Sequence, residues 1–126
     1  MRTGGVKSKG QMEAEVSEAI IQFEKEYMGR GPLETKTYII DDMVLVRLKN
    51  VLTRAEHQLA SPGDDAEGRT LIKKVRTTLL EKGRPLLEAV VESITARKVL
   101  SMHTDISTVT GERIILLTLD GKVEFK

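Results

Sequence analysis

Glu26-Tyr27-Met28-Gly29-Arg30-Gly31-Pro32, followed by Thr37-Tyr38-Ile39-Ile40-Asp41-Asp42-Met43-Val44-Leu45-Val46-Arg47-Leu48, is the stretch on which the fold turns. An amphipathic pattern runs up to Met28. Gly29 then offers the left-handed conformation that ends helices, and Gly31-Pro32 prevents resumption. Beyond Pro32 the apolar residues alternate, so a helix is joined here to a sheet. If Asp41-Asp42 is a two-residue turn, Ile40 faces Met43, Tyr38 faces Leu45 and Lys36 faces Arg47 on one side of a hairpin. Ile39 with Val44 and Thr37 with Val46 form the other side. Both sides are partly apolar, and each calls for a cover.

Upstream, Ser8 and Gln11 fit a capping box, and Met12, Val16, Ala19, Ile20, Phe23 and Tyr27 recur at helical spacing. A helix over 9–28 follows, with residues 1–8 as a disordered tail and 9–126 as one domain. Glu13, Glu15, Glu18, Glu24 and Glu26 make this helix acidic.

Downstream, Thr53 and Glu56 form a second capping box opening a short helix through Leu59, which Ser61-Pro62-Gly63 ends. Asp65 can cap the next helix. Leu71, Ile72, Val75, Leu79, Leu86, Val90, Val91 and Ile94 then hold one stripe across Gly83-Arg84-Pro85. This predicts one long helix kinked near Pro85, with two helices meeting there as the alternative. Strands at about 98–106 and 113–119 close the chain around a turn near Thr110-Gly111. Ser17-Glu18-Ala19-Ile20-Ile21 before the first hairpin echoes Leu87-Glu88-Ala89-Val90-Val91 before the second. The expected fold is α+β: a two-layer sandwich whose four-stranded antiparallel sheet comes from two helix-strand-strand units, with helices over one face.

Composition excludes several functions. Twenty basic against nineteen acidic residues leave a net charge of +1, so nucleic acid is not an expected partner. The absence of cysteine removes disulfides, thiolate metal sites and thiol nucleophiles, and fits a cytoplasmic location. No apolar run approaches the ~20 residues of a membrane span.

Within these bounds few residues could carry chemistry. Gly29, Arg30 and Gly31 could cradle a small anion with bared backbone N–H groups, joined by His103. Helix capping accounts for the same glycines. His103 and Asp105 alternate on one strand face, but no nucleophile-elbow pattern accompanies them. Asp41-Asp42 and Asp64-Asp65 lack the spaced oxygen ligands of a calcium loop. No metal, cofactor or catalytic residue is expected. Two surfaces could instead meet partners. Tyr38, Ile40, Met43 and Leu45 form an apolar sheet face that predicts a homodimer. Arg69, Lys73 and Arg76, at i, i+4 and i+7, form a basic stripe that either binds an anionic surface or faces the acidic first helix.

The run from Glu26 to Pro32, with Tyr38-Ile39-Ile40, Met43 to Leu48 and His103-Thr104-Asp105-Ile106-Ser107, resembles the MpsC family of small bacterial domains. The resemblance extends from about Gln11 to Asp120. It implies association with a sodium-translocating, membrane-potential-generating system, and it carries no catalytic residues over. The chain is therefore expected to be a soluble accessory or regulatory protein acting through protein contacts, with a membrane protein as a candidate partner. A small-anion-binding module and an enzyme are the alternatives.

Overall fold

The computed structural model describes residues 7–60 and 66–126. Seven elements follow in order: α1 (Lys9–Met28), β1 (Glu34–Ile40), β2 (Met43–Lys49), α2 (Arg54–Leu59), α3 (Ala66–Thr95), β3 (Val99–Ile106) and β4 (Arg113–Leu119). Both capping boxes are in place: the Ser8 and Thr53 side chains accept from the backbone N–H groups of Gln11 and Glu56, whose own side chains accept in return. Ser8 caps α1 and Lys7 pairs with Glu15 at 2.7 Å. The Ser61-Pro62-Gly63 and Asp64-Asp65 assignments lie outside the described residues.

The strands make one antiparallel sheet in the order β1-β2-β4-β3. The first hairpin has the register expected from its alternation, with Ile40 opposite Met43, Tyr38 opposite Leu45 and Lys36 opposite Arg47. Asp41 takes a positive φ of 54° in the tight turn, a conformation that aspartate tolerates better than most residues. β1 begins at Glu34, four residues earlier than its apolar core suggests, because its first half is polar and edge-exposed.

Helices α1 and α3 lie on one face. Phe23 and Tyr27 of α1 approach Gly83 of α3, while Ala19 and Gln22 share a groove with Leu86 and Val90, so the two helices run antiparallel. A Cβ at Gly83 would stand 2.5 Å from Phe23 Cε1, so only glycine permits this crossing. Beneath the helices, Ile39, Val44, Val46, Leu48, Ile115 and Leu117 are buried. Each edge strand is partly guarded by its helix. Glu13 accepts from the Ile39 N–H at 2.8 Å and Glu92 from the Val99 N–H at 2.9 Å.

Pro85 sits inside an unbroken 30-residue α3. The line it buries is Gly68, Ile72, Arg76, Leu80, Gly83, Leu87, Val91 and Thr95. This corrects the stripe read from sequence, since Leu71, Val75 and Leu86 are exposed. Arg76, Gly83 and Thr95 interrupt the apolar period of the true inner line, so the adjacent, more uniformly apolar line looked like the core. The internal echo shifts by one residue for the same reason: Val16 and Ile20 of α1 correspond in burial to Leu87 and Val91 of α3.

Candidate functional site

The strand pleat sends alternate side chains away from the helices. Pairing sets them in rows across the sheet: Tyr38, Leu45, Leu116 and His103 in one, and Ile40, Met43, Thr118 and Ser101 in the next. Among the described residues no helix covers this face. Tyr38 is 43% and Ile40 46% exposed, and Met43, Leu45, Ile114 and Leu116 are half-buried only by their neighbours. The sequence expectation that both hairpin faces need covers is thus met on one side alone. The far end of the face is charged: Arg47 pairs with Glu112 at 2.5 Å and Lys49 with Glu34 at 3.4 Å.

The anion-binding candidates fall in two places. Gly29 adopts φ 83° and caps α1, as its role as a helix terminator requires. Arg30 donates from Nη1 to the carbonyl oxygen of Leu52 at 2.7 Å, which ties the end of α1 to the segment after β2. Gly31 follows in the same link. His103 is not with them, standing instead on the open face of edge strand β3. Asp105, two residues on, accepts from the Ile106 N–H at 2.8 Å and from Lys73 at 3.4 Å. Its carboxyl is held below the usual range by that backbone hydrogen bond, with Lys73 adding to the effect.

Arg76 departs from the surface stripe expected of Arg69, Lys73 and Arg76. Lys73 is half exposed and Arg69 partly so, but Arg76 is 1% exposed. It cannot meet a partner in the folded chain. Seven residues from Arg69 on a 3.6-residue helix is close to two turns, yet α3 rests on α1 and α2, so the inner edge of the stripe is swallowed. The alternative that the stripe faces the acidic first helix holds for this one residue.

Arg76 organises a buried charged cluster. Its Nε and Nη2 donate to the two Glu56 oxygens at 2.9 and 2.6 Å, Nη2 also donates to the Val51 carbonyl at 2.7 Å, and Nη1 reaches Glu24 Oε1 at 3.5 Å. Burial penalises the Glu56 carboxylate, but hydrogen bonds from Arg76 and the Thr53 N–H outweigh it and hold the carboxyl below its ordinary value. Burial of Glu24 dominates and pushes its carboxyl up, against the attraction of Arg113 and Arg76. Burial likewise lowers Arg113. Among the described residues, Glu24 Oε2 and Arg113 Nε have no hydrogen-bond partner. Sequence reasoning missed this cluster, although one signal was present: Glu24 and Arg76 each sit on the line of their helix that carries the core residues.

Among the described residues no group of three or more His, Asp or Glu side chains could hold a metal, and no helix is long and apolar enough to cross a membrane. The buried cluster spends its charges on joining α1, α2 and α3, whereas the open face presents apolar and charged groups outward.

Residues 8–121 match the model of a family described as the Na+-translocating membrane potential-generating system (MpsC). The chain is also 43% identical over 118 residues to "Uncharacterized protein YbcI" of Bacillus subtilis (strain 168), an alignment covering 94% of this chain and 93% of that one. No solved structure matches.

Proposed function

The chain belongs to the MpsC family, and on that premise we propose that it is a non-enzymatic accessory or regulatory subunit of a sodium-translocating, membrane-potential-generating system, acting through protein contacts. The uncovered sheet face carries this reading. A face on which Tyr38 and Ile40 stand beside Leu45 and Leu116 is the kind of contiguous apolar area that monomers rarely leave in water. No described helix is long and apolar enough to cross a membrane, and a peripheral role is the one in keeping with that. The protein works from the cytoplasm, forms a homodimer, and docks on a membrane protein of the system.

Two surfaces can be told apart by salt. Contacts through the apolar face persist as salt rises, whereas contacts through Arg69 and Lys73 weaken, because exposed charges are screened within about 8 Å at physiological ionic strength. The test is capture of partner proteins from native membranes by the parent chain and by Ile40→Lys. Ile40 is exposed, so this substitution should leave the fold intact. Loss of capture with an unchanged melting temperature supports the reading. Capture by neither chain at low salt, together with tight binding of a small molecule such as phosphate, would replace it with an anion-binding function.

A further inference from the structure

Strand order and register constrain how two copies can meet through the open face. A twofold axis parallel to the strands and running between β2 and β4 lays β1 over the partner's β3, and β2 over the partner's β4. An axis across the strands lays each strand on its own copy.

Among the described residues, the first arrangement sets the unpaired cation of the face, Lys36, against a carboxylate, while Arg47, which comes level with the partner's Ile114, keeps its own pair with Glu112. In the row holding Lys36, Arg47, Ile114 and Asp105, reversing the order sets Lys36 opposite the partner's Asp105. At the centre Leu45 meets the partner's Leu116, and Tyr38 meets the partner's His103. One step further along, Lys49 faces the partner's Glu112, which shares the open face because it bonds to Arg47. The axis across the strands instead places Lys36 level with the partner's Ile40, stranding its charge on apolar surface with no carboxylate to meet it. Among the described residues Lys36 has no ion pair of its own.

We infer that the protein self-associates face to face through this sheet, with the twofold axis along the strands and Lys36 paired to the partner's Asp105. This rests on the homodimer reading above and adds its geometry. Four strands by about seven residues cover roughly 20 by 23 Å, burying on the order of 900 Å² in total. That is small for a stable complex, so the dimer is weak and concentration-dependent.

The test uses the full chain. Light and isotopically heavy copies are mixed, coupled with a zero-length carbodiimide that joins lysine to a touching carboxylate, and digested for mass spectrometry. Within one chain Lys36 and Asp105 lie on opposite edge strands about 14 Å apart, too far for direct coupling. A mixed-label Lys36–Asp105 peptide is the expected result. In parallel, K36E and D105K are measured alone and together by sedimentation equilibrium. Both positions are exposed, and because D105K also gives up the Asp105 bonds to Lys73 and the Ile106 N–H, an unchanged circular dichroism spectrum is required of each variant. Each variant alone should self-associate roughly 3- to 10-fold more weakly, and an equimolar mixture should recover parental affinity, because both cross-pairs are again of opposite sign. Unchanged self-association of K36E and D105K, with Lys36 coupled to some other partner carboxylate, overturns the geometry while the homodimer stands. A parent chain monomeric up to about a millimolar overturns the homodimer as well.

Discussion

Replacing Arg76 with methionine is the sharpest test of what holds the three helices together. Methionine matches much of the volume, so packing is largely conserved, but four hydrogen bonds vanish: two to Glu56, one to the Val51 carbonyl and one to Glu24. Glu24 is fully buried and cannot turn to water without unpacking α1, whereas Glu56, 18% exposed, is only partly shielded. Breaking a buried pair from one side leaves an uncompensated charge, which costs about 3–5 kcal/mol. For a chain of this size that lowers Tm by roughly 10–20 °C. Urea unfolding followed by circular dichroism at pH 7 measures the loss, and the deficit should depend only weakly on salt because Arg76 and Glu24 are shielded from solvent. The pH dependence supplies a second check. In the parent, the lowered Glu56 contributes stability that is present above its unfolded value and lost as pH falls through the folded one. The raised Glu24 contributes with the opposite sign, fully below its unfolded value and lost as pH rises through the folded one. Without Arg76 the lowered Glu56 carboxyl rises and the already raised Glu24 carboxyl rises further, so acidification towards about pH 5 should shrink the deficit of R76M. A loss under 1 kcal/mol at pH 7, or a deficit that grows on acidification, would refute the account of the cluster.

Glu24→Gln removes a charge that burial already disfavours, so it should cost well under half as much as R76M. Relative to the parent it should gain stability as pH rises, read from urea midpoints across pH. Gly83→Ala should destabilise by about 1–3 kcal/mol even though alanine is the better helix former, because its methyl meets the buried Phe23 ring. A Phe23→Leu/Gly83→Ala double variant should lose less than the sum of the singles, and strict additivity would argue against that contact. Ala96, at φ 60° after α3, is strained for an L-residue. Ala96→Gly should raise stability by about 0.5–1 kcal/mol in thermal unfolding. Ile40→Lys should leave Tm within a degree or two while reducing self-association, since Ile40 lies on the uncovered face.

Much of the architecture was legible because it follows from local rules. Ser8 with Gln11 and Thr53 with Glu56 announce two helix starts, Gly29 announces a helix end, and the alternation around Asp41-Asp42 sets hairpin register, since slipping it by one residue would move every side chain to the other face. The family resemblance was legible in the same stretch. Only the tertiary structure could decide which line of α3 turns inward. Leu71, Val75 and Leu86 look like core, yet the helix is positioned by features that no apolar periodicity contains: the glycine that lets Phe23 approach and the Arg76 that Glu24 and Glu56 neutralise. A buried arginine reads as a surface residue until its carboxylates, 20 and 52 positions away, arrive beside it. Coverage of the sheet was equally undetermined by local pattern. Both sides of each hairpin are apolar, and which one the helices take depends on α1 and α3 packing on each other above a single shared face, leaving Tyr38, Ile40 and Leu116 to whatever meets the other.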